Sequence, residues 1–383
     1  MRAHNERLVL TLLRRHRALS KAELARRTGL SAQTMSVIMR GLERDGLLAR
    51  DDPVRGKVGQ PSVPMRLAPD GVLFYGLKIG RRSAELVLID FLGRVIGRAQ
   101  VSYAYPTPER AMGFARAAFA DLQGALAPDR RRRVAGLGIG LPFHLWDWAK
   151  PLGVPAAAMT PWKHCDIGAE LQAGLDMPVF LENDATAACG AELVFGADPL
   201  PADFIYYYVG YFVGGGVVLQ DRLFTGPQGY AGALGSMPVP LGAGRTGQLI
   251  DIASLHPLDR SLCAAGHDSD FLWRGHEIWP IDAAILQRWL DGAANGLAHS
   301  IAGASAVLDT DLVIIDGWLP RELLNRLICR TGRALEAVDF SGLRNPRIRA
   351  GTVGADARAL GAASLPLSQR FLMDAVGGAT RPA

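Results

Sequence analysis

The chain contains 383 residues, of which 49% are hydrophobic and 21% charged, so it has enough apolar material for a buried core. This composition excludes a disordered or fibrous protein, and the length favours about two or three domains. No apolar stretch is typical of a membrane span, and neither a secretory signal nor a paired-cysteine pattern is evident. We therefore expect a cytoplasmic protein without membrane contacts.

Positive charge is concentrated at the N-terminus. Residues 1–70 hold 14 of the 42 Lys and Arg residues and 7 of the 37 Asp and Glu residues, a net charge of +7. Residues 71–383 hold the other 28 basic and 30 acidic residues, a net charge of −2. A basic head favours nucleic-acid binding, because phosphate neutralisation supplies most non-specific affinity. A solvated basic face explains the charge equally well.

The first part of the chain has the pattern of three amphipathic helices. Residues 4–17 form the first helix. Ser20 and Glu23 make a capping box that opens the second, and Gly29 ends it. After a short turn, Ser31 caps the third helix. Four apolar residues at helical spacing are expected to bury one face of this helix: Met35, Ile38, Met39 and Leu42.

The opposite face of the third helix is predicted to read DNA bases. Two helices joined by a short turn that contains glycine are typical of the helix-turn-helix motif, whose second helix enters the major groove. Amide, guanidinium and hydroxyl groups can bond to base edges there. The candidate residues on this face are Ser31, Gln33, Thr34, Ser36 and Arg40.

A basic, glycine-rich loop follows between two short predicted strands and has the pattern of a wing. Its tip contains Arg55, Lys57 and Gln60, which are expected to visit the adjacent minor groove, where negative potential is concentrated. A flexible interdomain linker is the alternative for the loop. A helical module that docks on a protein is the alternative for the whole head.

From residue 71 onward, strands alternate with helices. The predicted strands of the first half are 73–80, 84–90, 91–102, 134–142 and 177–184, and the predicted helices are 108–126, 166–175 and 185–196. Residues 204–226 resemble the first hairpin, and residues 312–320 resemble another buried strand. The body is therefore predicted to be an approximate duplication of two α/β lobes. A ligand is expected in the cleft between them.

Several motifs follow one another in a specific order along the chain. After the winged helix with GKVGQP (56–61) come LENDATAACGAE (181–192), GYAGALGSMPV (229–239) and GADARALGAASL (354–365). This order resembles the ROK family of repressors, open reading frames and kinases, in particular its sugar-responsive repressors, over nearly the whole chain.

The resemblance implies an α/β fold, with a two-lobed actin/hexokinase-like (ribonuclease H-like) body behind an all-α winged helix-turn-helix domain. It also implies a homodimer or dimer of dimers, double-stranded operator DNA as partner, and a sugar or sugar derivative as effector. The expected domains are residues 1–70 for the head, 71–184 with about 361–383 for the first lobe, and 185–360 for the second lobe, with dimerisation and the effector cleft.

Departures from the family pattern argue against kinase activity. Where family kinases have Asp-x-Gly-Gly-Thr, Lys78 replaces the acid, and Arg81 and Arg82 occupy Gly and Thr places. We expect a solvated turn here, with anion attraction as the alternative. Tyr211 and Phe212 bring aromatic bulk into the second phosphate loop, and Asp316-Gly317 replaces a Gly-Gly adenosine loop. Phosphoryl transfer depends on such positioning. We therefore predict no enzyme activity and no cofactor.

Asn183 and Asp184 are the candidate effector-binding residues. Asp184 occupies the position of the family's catalytic base, and both side chains can bond to sugar hydroxyls. The alternative for Asp184 is that it merely caps the following helix.

The sugar and zinc motifs of the family are eroded. Residues 232–237 lack the family's sugar-binding Glu and His, and Leu241, Ala243 and Gln248 stand at cysteine positions, so no zinc ligand set survives. Ile250 stands at a Glu position, and for the neighbouring Asp251 we expect a surface or capping role.

Five aromatic residues are candidates for a cleft that is rebuilt for another ligand, although packing is the favoured role of each: His144, Trp146, Trp148, Trp162 and His164. Two further functions remain open. In the first alternative to a sugar-responsive regulator, the protein binds DNA but its body is a scaffold that has lost sugar sensing. In the second, which is less favoured, the protein is a sugar kinase.

Overall fold

The polypeptide forms an N-terminal winged helix followed by two α/β lobes, each built on a five-stranded sheet. The computed structural model describes residues 2–52, 63–149, 153–242, 244–275 and 277–373. Within these ranges, no helix combines the length and apolar character that a membrane span needs. This arrangement agrees with the predicted fold class.

The head consists of three helices and a small antiparallel sheet. Its elements are α1 (Arg2–His16), β1 (Ala18–Leu19), α2 (Lys21–Thr28), α3 (Ala32–Arg44), β2 (Leu48–Arg50) and β3 (Met65–Leu67), and its strand order is β1-β3-β2. The predicted capping box is present, since Ser20 N–H donates to Glu23 Oε2 (2.8 Å) and Glu23 N–H donates to Ser20 Oγ (3.3 Å). Gly29 ends α2 with a left-handed φ of 70°. The predicted apolar stripe of α3 is buried.

The first lobe surrounds a sheet of order β6-β5-β4-β7-β8. The strands are β4 (Leu73–Ile79), β5 (Ser83–Ile89), β6 (Val95–Ser102), β7 (Val134–Gly140) and β8 (Val179–Glu182). Within the described ranges, five α-helices lie between residues 108 and 195: α4 (Pro108–Gly124), α5 (Pro128–Arg131), α6 (Ala156–Met159), α7 (Ile167–Gln172) and α8 (Asp184–Phe195). The first three strands are antiparallel, and β7 and β8 join in parallel. The carboxyl ends of β4, β7 and β8 therefore meet at one edge of the sheet.

The second lobe repeats this order, with a sheet β11-β10-β9-β14-β15. Its strands are β9 (Phe204–Val209), β10 (Gly214–Leu219), β11 (Arg222–Phe224), β14 (Leu312–Gly317) and β15 (Arg347–Ala350), and β12 (Pro238–Gly242) and β13 (Arg245–Gln248) form a separate hairpin. Its helices are α9 (Ile250–Ala253), α10 (Leu255–Ala264), α11 (Phe271–Arg274), α12 (Ala283–Leu308) and α13 (Arg321–Glu336). The shared strand order agrees with the predicted internal duplication.

The last described helix, α14 (Ala357–Phe371), returns to the first lobe and packs against β4, β7 and α8. Its backbone approaches the sheet so closely that glycine is required there. A Cβ at Gly138 would lie 1.7 Å from the carbonyl oxygen of Ala362, and one at Gly76 would lie 2.5 Å from that of Ala359. This packing holds the start of α14 at the cleft between the lobes.

The head is docked on the first lobe at the other end of α14. Met373 N–H donates to Thr11 Oγ1 (2.8 Å), which connects the chain after α14 to α1. The guanidinium carbon of Arg14 lies 5.5 Å from the ring centroid of Phe91 and 5.6 Å from that of Phe195. Burial lowers the pKa of Arg14 to about 10, so this side chain stays charged at neutral pH. The position of the head therefore depends on contacts with the body.

Candidate functional site

The residues predicted to read bases lie on the solvent-facing side of α3. Ser31, Gln33, Thr34 and Arg40 are exposed, and Ser36 is half-buried. Ser31 Oγ accepts from Thr34 N–H (3.1 Å) and caps the helix, while Ser36 Oγ donates to a carbonyl one turn earlier (2.7 Å). The helix thus already engages both serine hydroxyls. Gln33 and Arg40 are the longest polar side chains of the predicted set.

The wing is described only at its base. Strands β2 and β3 pair antiparallel, with Leu48 opposite Leu67, and β2 also contacts α3. The loop joining these strands therefore starts beside the helix predicted to read bases, where Arg50 Nε lies 2.7 Å from Glu43 Oε1. The predicted minor-groove residues Arg55, Lys57 and Gln60 lie outside the described residues.

Two cavities adjoin in the cleft between the lobes. The inner compartment, about 530 Å³, is lined by Asn183 and Asp184. The basic compartment, about 610 Å³, is lined by Lys78. Arg81 and Arg358 line both compartments. A ligand that occupies both would therefore lie against these two guanidinium groups.

Asn183 and Asp184 lie together at the start of α8. Asn183 Oδ1 accepts from Ala185 N–H (3.0 Å) and Thr186 N–H (3.3 Å), so Asn183 is the helix cap. The alternative prediction that Asp184 is the cap is wrong. Asp184 is the first helical residue, is only 6% exposed, and places Oδ2 3.4 Å from a terminal nitrogen of Arg358. It forms one half of an ion pair beside both compartments.

The segment expected to be a solvated turn is buried. Lys78 is 6% exposed and Arg81 is 9% exposed. Lys78 Nζ donates to Ser83 Oγ (2.6 Å). The guanidinium carbon of Arg81 lies 4.1 Å from the ring centroid of Trp148 and 4.4 Å from that of Phe212. The expectation was wrong because aromatic rings from distant segments cover Arg81 with favourable cation–π contacts.

The aromatic residues that follow β7 have different roles. His144 and Trp148 line the inner compartment, and His144 Nε2 lies 2.8 Å from the hydroxyl of Tyr230. Trp162 is buried in the core of the first lobe, as the packing alternative predicted. Trp146 lines a separate cavity. Part of the predicted aromatic set is therefore placed where it can contact a ligand.

The eroded sugar and zinc segments lie beside the inner compartment. Residues from 232–236, together with Gln248 and Ile250, line it. Asp251 is exposed, its Oδ2 accepts from Gln248 N–H (3.0 Å), and it lines a different cavity, in agreement with the surface role expected for it. Ala243 lies outside the described residues. In the described ranges, no group of three or more His, Cys, Asp or Glu residues is arranged to hold a metal ion.

Three cationic side chains at the boundary between the compartments have perturbed pKa values. Burial lowers the pKa of Lys78 to about 7, and Arg358 lowers it further against the pull of nearby carboxylates. Burial lowers the pKa of Arg81 to about 10, with Asp184 opposing. Burial also acts to lower the pKa of Arg358, but Tyr208 and Asp184 outweigh it and raise the value. Both arginines are therefore charged at neutral pH, whereas Lys78 titrates there.

Arg358 is the site residue that the sequence analysis missed. It lies in the first turn of α14, 4.9 Å from the ring centroid of Tyr208. One signal was present, because it is the only basic residue in the last family motif and is surrounded by small residues. Asp316, by contrast, has a structural role: it is fully buried and accepts from Gly354 N–H (2.9 Å) and the Tyr206 hydroxyl (3.2 Å).

Comparison with known proteins finds a matching family for both the body and the head of the chain. The ROK family model matches residues 74–369, and the MarR family model matches residues 4–57. The xylose repressor of Caldicellulosiruptor bescii is 25% identical, over 60% of this chain and 57% of that protein. A ROK family transcriptional regulator, described as a homologue of the E. coli MLC protein, covers 97% of both chains with a TM-score of 0.68 at 20% identity. The ROK hexokinase of Thermus thermophilus covers 76% of this chain and 97% of its own, with a TM-score of 0.53 at 27% identity.

Proposed function

The chain belongs to the ROK family and has a winged helix of the MarR type at its N-terminus, and we propose that it is a DNA-binding transcriptional repressor. The observation that carries the proposal is the exposed polar face of α3, in a head that precedes a ROK-type body in the chain. Double-stranded operator DNA is the partner. Gln33 pairs with adenine and Arg40 with guanine or phosphate, while Arg55, Lys57 and Gln60 of the wing enter the minor groove.

Two copies of the chain bind one operator in this proposal, as a homodimer or a dimer of dimers. Paired heads read half-sites one helical turn or a multiple apart, so the operator has two-fold symmetry. The units that move are residues 1–70, residues 71–184 with about 361–383, and residues 185–360. A change in the angle between the two lobes changes the spacing of the heads.

The effector is a sugar or a sugar derivative bound in the cleft, and the regulated genes serve carbohydrate metabolism. Asn183 and Asp184 offer polar groups to sugar hydroxyls, and His144 and Trp148 offer ring faces to an apolar sugar surface. A ligand shifts DNA binding only if it favours one arrangement of the dimer. The packing of α14 supports such a connection, because this helix runs from Arg358 at the cleft to the contacts of the head.

Enrichment of genomic DNA fragments on the purified full-length protein tests this function, at constant salt and with or without a pool of sugars and sugar phosphates. We expect a shared two-fold site whose recovery changes with the pool. Arg40→Ala is expected to weaken binding to that site about five- to 150-fold and to relax base preference at one position. Arg116→Ala, an exposed change on α4, is the control and keeps both properties.

Three outcomes would reject parts of the proposal. No enriched site would remove DNA recognition from the head, and unchanged binding by Arg40→Ala would move recognition away from this face of α3. A site that is indifferent to the pool would favour the alternative that the body is a scaffold without sugar sensing.

We also propose that the body transfers no phosphate. Lys78 stands where kinases of the family have an acid, and Tyr211 and Phe212 lie against the arginines of the basic compartment. We expect no sugar-dependent ADP production in a coupled assay with ATP, magnesium and the same sugar pool. Turnover that Asp184→Asn abolishes would contradict this and assign a kinase.

A further inference from the structure

The basic compartment carries an excess of positive charge. Its lining contains five cationic side chains and two carboxylates, which are Lys78, Arg81, Arg82, Arg274, Arg358, Glu85 and Asp270. Arg274 is paired with Asp270 (2.9 Å), and Glu85 lies 3.1 Å from Arg98, which is outside the lining. Both carboxylates are therefore already engaged. In the described part of the chain, only Arg358 of the other cations has a carboxylate within 4 Å, namely Asp184.

Several of these donors are buried without a hydrogen-bond partner. The Nε atoms of Arg81, Arg82 and Arg358 are shielded from solvent, and their N–H groups have no hydrogen-bond acceptor among the described residues. Buried donors of this kind are rare in native proteins, because each loses its hydration without replacement. Lys78 adds a buried ammonium group, and burying this charge costs more free energy than burying an apolar side chain of similar size. A bound group that supplies negative charge and acceptor oxygens would offset these costs.

The surroundings of Arg81 suit such a group. Its guanidinium carbon lies 4.1 Å from the ring centroid of Trp148 and 4.4 Å from that of Phe212, and these two centroids are 4.4 Å apart, so both rings lie on the same side of the guanidinium group. Rings on one side of a guanidinium group leave its other side accessible to carboxylate or phosphate oxygens, which its N–H groups can bind. Arg81 also lines the inner compartment, so an anionic group bound to it is next to any molecule held there.

We propose that Lys78, Arg81, Arg82 and Arg358 form an oxyanion site, and that the effector is an acidic sugar derivative whose phosphate or carboxylate occupies it. The sugar ring lies in the inner compartment, against Asn183 and Asp184, and the anionic group extends past Arg81 into the basic compartment. The ring position rests on the proposed function, whereas the oxyanion site rests on the buried cations alone.

The site can be tested without DNA. The full-length protein is titrated with sodium sulfate against sodium chloride at constant ionic strength, by calorimetry and by fluorescence of the tryptophans, one of which, Trp148, contacts Arg81. We expect saturable binding. Lys78→Met and Arg81→Gln are each expected to weaken it about tenfold or more, the effect of losing one charged hydrogen bond. Arg116→Gln removes the same charge from the surface and is expected to leave the affinity unchanged.

Glucose, glucose 6-phosphate and glucuronate then identify the source of the oxyanion. Tighter binding of one acidic sugar than of both glucose and sulfate supports the proposal and selects phosphate or carboxylate. No saturable response to sulfate, or equal affinity in Lys78→Met, Arg81→Gln and the unchanged protein, would overturn it. Preferential binding of ATP would also overturn it, in favour of a nucleotide site. An operator found by fragment enrichment together with any of these negative results would leave the regulator function standing.

Discussion

Asp184→Ala is expected to lower the free energy of unfolding by about 3–5 kcal/mol, the usual result of removing one partner of a buried ion pair. Asp184 is 6% exposed and lies 3.4 Å from Arg358. Burial lowers the pKa values of Lys78 and Arg81, and the carboxylate of Asp184 raises both. Without it, none of Lys78, Arg81 and Arg358 would have a carboxylate within 4 Å among the described residues. Urea unfolding at neutral pH, followed by tryptophan fluorescence, measures the change.

A double variant separates the lost charge from the lost volume. Asp184→Ala with Arg358→Met is expected to recover much of the stability, because the charge that lost its partner is also removed. Asp121→Ala, an exposed change on α4, is the control and should change stability little. Sulfate is expected to stabilise Asp184→Ala more than the unchanged protein, since the anion takes over the role of the carboxylate. Strictly additive effects of the two substitutions would mean that the pair has no energetic coupling.

The head was predictable because its signals are local. The reciprocal bonds of Ser20 and Glu23, the left-handed Gly29 and the buried stripe of α3 all depend on residues within a few positions of one another. The duplication of the body was also predictable, because each half of the sequence begins with a hairpin and continues into α/β units, and the two lobes share one strand order. Periodicity and turn-forming residues are enough to predict such elements, since the residues that contact one another are also close in the sequence.

The cleft was less predictable because its contacts join distant segments. Arg81 is buried by Trp148 and Phe212, and Asp184 is paired with Arg358, 174 positions later. No local pattern distinguishes a buried arginine of this kind from one in a solvated turn. The cap at the start of α8 was misplaced for a different reason. Asn183 and Asp184 both have suitable side chains, and one residue of helix boundary decides which of them caps.

Lys78→Met is expected to raise the free energy of unfolding by about 1–4 kcal/mol at about pH 6 in the absence of an anion. Four groups act on Lys78: Ser83 accepts a hydrogen bond, Glu85 and Asp184 favour the charged form, and Arg358 disfavours it. Burial outweighs the favourable contacts and lowers its pKa from 10.5 to about 7. The charged lysine therefore destabilises the folded state, and methionine of similar length removes that cost.

The sign of the pH dependence follows from this lowered pKa. Below about pH 7, Lys78 is protonated in both the folded and the unfolded chain, so the whole cost of burying the charge is present. Between about pH 7 and 10.5, the unfolded chain binds the extra proton, and the stability contributed by this group rises with pH. The advantage of Lys78→Met should therefore shrink from about pH 6 to about pH 9. Thermal unfolding at both values measures it.

The exposed Lys163→Met is the matched control, and its small effect is expected to be the same at both pH values. Sulfate at about pH 6 should reduce the difference in stability between Lys78→Met and the unchanged protein. The reason is that sulfate binds better to the protein that keeps the ammonium group and so stabilises it more. A stability difference that does not change with pH would mean that Lys78 is not desolvated in the folded chain. A stability difference that sulfate does not reduce would mean that the burial of Lys78 is unrelated to anion binding. The pH series and the sulfate series thus separate the energetic cost of this buried charge from the use that the protein makes of it.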